Sequence, residues 1–353
     1  MIPTPDFLKP RREGSSVKTL LPRPKRIEGR SGPGLDLSGG FDLREEPGVD
    51  PRPGVYLKNR FEAWGLHAKP GEAPVVLGLS GSLGSQGYRL RTGKASAVIE
   101  AATAQGLFHG AVTLLQLAER HGEGIVIPAA ELEDEPDLLI RGFSVDFRYA
   151  WLEEPHLRAM IDAAAAFKAS AIVWWPQDKL AWRSHPDLIH ARALSPAQWK
   201  SLVACGEERF IQMIPLMDPY GHAETYADRP AYLPLTNGER GYWGHDDVQY
   251  CASHPDSWRL FHDLSAECLE VFTNTPYFHI GMDEVGGQDE RLCAECRARV
   301  RALASGMNDP EPFDQARNRF IAQRMLQAMK WMKARGRRPV FWDDNAINIR
   351  TRA

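Results

Sequence analysis

Two carboxylates stand side by side in the stretch TPYFHIGMDEVGG, residues 275–287, where an apolar run ends. Neighbours on an extended strand point to opposite faces. Asp283 and Glu284 can therefore share one pocket only if the extended backbone stops before them. Gly281 ahead of the pair and Gly286–Gly287 behind it permit that departure. Like charges held close in a partly shielded site push one pKa up. One acid then keeps its proton near neutral pH while the other stays ionised, the division of labour that cleavage of a glycosidic bond requires. The plainer reading is a helix N-terminal cap, since acids suit the dipole there.

Other polar residues follow apolar, strand-like runs in the same manner. Arg141 and Asp146 flank the first. Trp174, Trp175 and Asp178 follow the second, Asp218 and His222 the third, His279 and the acid pair the fourth, and Trp342, Asp343 and Asp344 the fifth. Each alone has an ordinary explanation. Arg141 suits a salt bridge, Asp146 a loop, His222 a hydrogen-bonded loop histidine, and the indoles a core. Their recurrence at successive strand ends suggests a cleft of acids and flat rings. Such a cleft suits a sugar, whose C–H faces stack on indoles and whose hydroxyls bind carboxylates. A divalent metal on His222, His279, Asp283 and Glu284 is a competing reading, but their spacing follows no familiar ligand pattern. Cys293 and Cys296 form one CxxC, and zinc would need two further ligands with no second pair in view. The expectation is reduced thiols, no metal and no cofactor.

The elements that must position these residues fall into three stretches. Residues 1–35 are rich in Pro, Gly, Lys and Arg and read as an extended lead-in. Residues 36–130 read as a small α+β domain: the strand APVVLGL, a hairpin of YRLRTG and SAVIEAA, and the helix GLFHGAVTLLQLAERHG ending at a glycine. From 138 to 353 strands and helices alternate, beginning LLIRGFSVDF, then EEPHLRAMIDAAAAFKA, AIVWW, SPAQWKSLVACGEE and FIQMIPL. That rhythm, with no GxGxxG or GxxxxGK[ST] after any strand, predicts an α/β fold with a (β/α) TIM-type barrel. Five barrel strands are legible, where a closed barrel needs eight. The barrel is thus expected to be incomplete, with roughly 100 further residues required at the usual repeat length.

Bulk properties exclude several classes. Of the 353 residues 43% are hydrophobic and 25% charged, which suits a globular chain with a sizeable core. A net charge of -3 gives no electrostatic case for nucleic acid or an anionic membrane. No apolar run approaches the roughly 20 residues that cross a bilayer. The first residues carry basic charge without an apolar stretch behind it, so the expectation is a cytoplasmic protein. The sequence leaves room for a homo-oligomer.

At the acid pair the chain resembles glycoside hydrolase family 20, the β-N-acetylhexosaminidases. HIGMDE matches the family's H-x-G-[small]-D-E signature apart from Met282. LPRPKRI, GYRLRTGKASAVIEAATAQGLFHGAVTLLQL, DEPDLLIRGFSVD, IPLMDPYGH and RRPVFWDD resemble successive family segments, nearly end to end. The resemblance implies exo-acting hydrolysis of terminal N-acetylglucosamine or N-acetylgalactosamine by substrate assistance, an exception to the two-carboxylate scheme. It implies Glu284 as acid and base, and Asp283 as partner of the acetamido N–H. Arg141 would bind sugar hydroxyls, Trp342 would wall the acetamido pocket, and Asp178 and His222 would support the acid and the sugar. Two positions depart from the pattern: VWWPQD replaces a histidine-rich strand, and Leu216 replaces a glutamate. The alternative is a carbohydrate-binding relative of the same fold without turnover.

Overall fold

The computed structural model describes residues 9–12, 20–81, 83–148, 150–237, 248–284, 292–305 and 312–343. The chain forms two compact units. One comprises Met1–Gly142, Pro155–Ala171 and Cys205–Ile211, the other Phe143–Glu154, Ile172–Ala204 and Gln212–Ala353.

The first unit is built on a six-stranded sheet. Its strands are β1 (Arg26–Gly29), β2 (Asp42–Glu45), β3 (Pro74–Leu79), β4 (Tyr88–Gly93), β5 (Ser96–Ala101) and β6 (Ala130–Asp134), in the spatial order β1-β6-β4-β5-β3-β2. β4 and β5 form the expected hairpin, antiparallel with Gly93 opposite Ser96, and their side chains alternate between buried and part-exposed. Helices α1 (Arg52–Ala63) and α2 (Ala104–Leu117) belong to the same unit. Thr103 caps α2 by accepting the Gly106 N–H at 3.2 Å. Leu107, Ala111, Leu114 and Leu115, predicted from their helical spacing, are buried together. Each buried leucine contributes roughly 1.5–3 kcal/mol. The helix stops at Leu117, short of the glycine expected to end it, because Glu119–His121 pair as a strand with Gly124–Ile127. The lead-in is likewise paired in part, since β1 lies antiparallel to β6.

The barrel strands are β7 (Gly142–Asp146), β8 (Ala171–Trp175), β9 (Gln212–Pro215), β10 (Tyr277–His279) and β11 (Arg338–Val340). Hydrogen bonds from Ala171 N–H to Arg141 and from Phe147 N–H to Trp175 climb together, so β7 and β8 run parallel. β9 follows β8 in the sheet, β10 pairs parallel with β11, and a parallel bridge between Leu216 and His279 joins the two sets. Among the described residues these five strands form one arc. Helices α3 (Glu154–Ala166), α4 (Pro196–Glu207), α5 (Pro255–Val271), α6 (Ala294–Ser305) and α7 (Phe313–Lys333) lie between them in sequence. β8 is buried almost throughout, as a strand covered on both faces must be. Helix α6 was not anticipated, and the CxxC lies at its start. Among the described residues no helix is long and apolar enough to cross a membrane.

Candidate active site

The acid pair lies where β10 gives way to a left-handed turn. Gly281, Met282 and Glu284 have φ of 58°, 74° and 51°. Non-glycine residues enter that region at about 1–2 kcal/mol each, so surrounding bonds must hold the turn. Asp218, beyond the end of β9, supplies one of them and ties down its own loop as well. Its Oδ2 accepts the Met282 N–H at 2.8 Å, and its Oδ1 accepts the N–H groups of Tyr220 and Gly221 at 2.7 and 2.8 Å. His279 Nδ1 accepts the Gly281 N–H at 3.0 Å, and the Trp342 N–H donates to Gly281 O at 3.0 Å. A Cβ at position 281 would stand 2.2 Å from Asp218 Oδ2, so only glycine fits.

This turn brings neighbouring side chains to one place. Asp283 Oδ2 and Glu284 Oε2 lie 3.2 and 3.9 Å from the same nitrogen, His222 Nε2. His222 is itself left-handed, with φ 52°, and buried. Its ring meets the edge of Trp175 at 5.2 Å. Arg148 Nη1 lies against its Nδ1. A guanidinium only donates, so Nδ1 accepts there and the ring proton sits on Nε2, toward the acids. Burial opposes a second proton on the ring. The carboxylates of Asp283, 3.2 Å from Nε2, and Glu224, 3.6 Å from Nδ1, together with the charge of Asp218, outweigh burial and carry the pKa up to about 10. Taking that proton requires Nδ1 to turn from Arg148 toward Glu224, 3.6 Å away.

The acids do not divide as their adjacency suggests. Burial alone would raise Asp283, but the His222 ring 3.2 Å away, once it carries its second proton, holds it below the usual carboxylate range. The raised acid is Asp218, fully enclosed and pushed by burial up to about 7. His279, also buried, is pushed down to about 4 and stays neutral.

Arg141 does not belong to this cluster. It precedes the first residue of β7, at the amino end of the strand, and its guanidinium donates to Gln86 Oε1 and to the carbonyls of Leu138 and Lys168. With Asp134 and Lys168 it lines a separate cavity of about 260 Å³ in the first unit. Barrel chemistry gathers at carboxyl ends, and the guanidinium at that end of β7 is Arg148. Its Nε donates to Asp146 Oδ2 at 2.7 Å, and its Cζ lies 4.8 Å over the Trp175 ring. Sequence reasoning missed Arg148, although its place directly beyond the strand was the available signal. Asp178 is buried and paired with Lys179, not with the acid pair. Trp342 lies against His279, the ring centroids 4.5 Å apart and the planes tilted by 50°, with 39% of its surface exposed beside the turn. Gly286, Gly287 and Asp344 lie outside the described residues.

Comparison with known proteins gives a consistent picture. Residues 18–135 match glycosyl hydrolase family 20, domain 2, and residues 140–352 match the glycosyl hydrolase family 20 catalytic domain. The chain is 31% identical over 307 residues to a β-N-acetylhexosaminidase of Cellulomonas fimi, covering 75% of this chain and 59% of that protein. It is 29% identical over 289 residues to a β-hexosaminidase of Porphyromonas gingivalis, covering 74% of this chain and 36% of that one. The chain thus spans well under two thirds of either relative. A family 20 exo-β-N-acetylglucosaminidase from Vibrio harveyi, solved with N-acetylglucosamine, superposes with a TM-score of 0.78 at 19% identity, over 93% of this chain and 55% of that one. The β-N-acetylhexosaminidase of Streptomyces coelicolor A3(2) gives 0.71 at 20% identity, over 94% and 67%. The fold shared with these structures is a TIM-type barrel preceded by a small α+β domain.

Proposed function

Since the chain belongs to glycosyl hydrolase family 20, we propose that it carries the catalytic pair of an exo-acting β-N-acetylhexosaminidase. The substrate class is a glycan ending in N-acetylglucosamine or N-acetylgalactosamine. The observation that carries this reading is the convergence of Asp283 and Glu284, adjacent in sequence, on one imidazole nitrogen at 3.2 and 3.9 Å.

Each role follows from its surroundings. The Glu284 side chain is 69% exposed, open to a leaving group and to water. It donates its proton to the glycosidic oxygen as the C1–O bond breaks, then takes a proton from the incoming water. The substrate's acetamido oxygen attacks C1 from the other side and forms an oxazolinium ring, so no enzyme nucleophile is needed. Asp283, kept anionic by His222, accepts the acetamido N–H and stabilises the positive charge that develops there. His222 orients Asp283. Arg148, in place of Arg141, offers its fork of donors to sugar hydroxyls. The part-exposed indole of Trp342 walls the acetamido side. None of the five cysteines is joined in a disulfide, which suits a reducing compartment and hence a cytoplasmic enzyme.

The test is hydrolysis of an aryl N-acetyl-β-glucosaminide. Glu284→Gln should lower kcat by about 10²–10⁴-fold, the usual contribution of a general acid–base group, with Tm unchanged. Wild-type turnover in that variant would remove the assignment.

A further inference from the structure

Three thiols from two distant stretches of the second unit meet at the start of helix α6. Cys251 follows a stretch tied down by the Tyr250 N–H to Tyr220 O bond and the Cys251 N–H to Leu235 O bond, at 2.7 and 2.8 Å. Cys293 immediately precedes α6, and Cys296 lies in its first turn. The Cys251 Sγ stands 3.4 Å from Cys293 Sγ and 3.6 Å from Cys296 Sγ, and all three sulfurs lie within 4.8 Å of one another. These separations are too long for a disulfide, about 2.05 Å. They are close to the edge of a tetrahedron of thiolates about 2.3 Å from a zinc ion, which is about 3.8 Å.

The surroundings suit thiolates. The Cys296 N–H donates to Cys293 Sγ at 3.4 Å, and Ser253 Oγ lies 3.2 Å from Cys296 Sγ. Such donors orient metal-bound sulfur and offset its charge. Leu292, Val300, Ala316 and Phe320 pack around the group and keep bulk water away. Three thiolates on a divalent ion leave one negative charge. The buried guanidinium of Arg324 lies within electrostatic reach of Cys251 and Cys296 and carries the opposite sign.

We propose that Cys251, Cys293 and Cys296 bind a zinc ion, with water or the Ser253 hydroxyl in the fourth position. Each thiol releases its proton to solvent as the metal binds. The ion would clip the segment beyond His222 to the segment beyond Glu284, closing a span of 42 residues. It acts as a staple for the two loops that carry the acids and their histidine. The proposal does not depend on the catalytic reading, because its readout is metal content rather than turnover.

The full chain, purified under reducing conditions with zinc supplied and excess removed, should retain about one zinc per molecule by elemental mass spectrometry. Replacement by Co²⁺ should give thiolate-to-cobalt charge-transfer absorption, which identifies sulfur ligands in the unaltered protein. Cys251→Ser and Cys296→Ser should each lose most of the bound metal, while Cys205→Ser and Cys268→Ser, at the other buried thiols, should keep it. A wild-type chain that is folded by circular dichroism but holds no metal would overturn the proposal. So would a cobalt spectrum without sulfur bands, full metal retention in a Cys251→Ser, Cys296→Ser double variant, or an intact mass two hydrogens light that reveals a disulfide instead.

Discussion

Two polar clusters in this molecule handle burial in opposite ways. In the first unit, Lys168 is buried and its Nζ donates to Tyr88 Oη at 2.8 Å, while Tyr88 Oη shares a hydrogen bond with Thr113 at 2.7 Å. Asp134 closes the group at 3.3 Å from the amine. Burial draws Lys168 down to about 8, yet every polar tip named here has a partner. At the strand ends of the second unit, backbone and side chains are under tension. Gln177, His222, Met282 and Glu284, none of them glycine, hold positive φ just beyond β8, β9 and β10. The Gln177 amide is buried with neither end hydrogen-bonded among the described residues, and Asp218 is buried against its ionisation. Positive φ also occurs at Ala73, Lys168 and Phe210 in the first unit; Ala73 stands in the bend before β3, while Lys168 and Phe210 follow helices α3 and α4 and end them. Strain that terminates a helix is a folding device. Strain repeated at three successive strand ends is what a site built to aim side chains requires.

The contrast can be broken most sharply at two glycines. Gly281→Ala would force a Cβ to 2.2 Å from Asp218 Oδ2 at φ 58°. It should cost about 3 kcal/mol or more by chemical denaturation, through the left-handed penalty and the clash together, and should abolish turnover. Gly93→Ala, in the hairpin with open space around it, should change stability by less than about 1 kcal/mol and leave turnover intact. Equal effects at the two sites would erase the distinction drawn here.

The two guanidiniums sharpen it next. Arg148→Ala should lower kcat/KM about 10²-fold, through lost sugar binding and a loosened His222, with a small loss of stability. Arg141→Ala should do the reverse. It breaks three hydrogen bonds in the first unit and should destabilise by about 1–3 kcal/mol while kcat/KM holds. A large KM effect at Arg141 would restore it to the site.

The faintest signal is in pH, because other carboxylates titrate over the same range. Asp218 has a folded pKa of about 7, above the ordinary value near 4 that an unfolded chain shows. The folded state therefore binds more protons between those values, and its stability falls as pH rises through them. Measured against Asp218→Asn, which has no such proton, wild-type Tm should decline relative to the variant from about pH 4 to pH 7 and then run parallel. A difference that stays flat across that window would show that Asp218 is not held in its protonated form.

Much was legible from local spacing. Alternating strands, the helical run 107–117 and the glycine before the acid pair depend on neighbours a few residues apart, and neighbours are what a sequence displays. The same locality explains why Asp283, Glu284, His222 and Trp342 could be picked out as strand-end residues. Distances across strand ends are another matter. Arg141 and Arg148 flank one five-residue strand, and only the direction of that strand decides which guanidinium reaches the histidine. Asp218 takes its proton from enclosure by β10's turn, 64 residues away in the chain. The third thiol of the CxxC group comes from 42 residues before it. Sequence by itself determined which residue types stand at the ends of elements, because secondary structure follows short-range periodicity. Packing of those ends decided which of them share a pocket, a proton or an ion, because Coulombic and hydrogen-bond energies depend on separation in space, and chain spacing does not encode it.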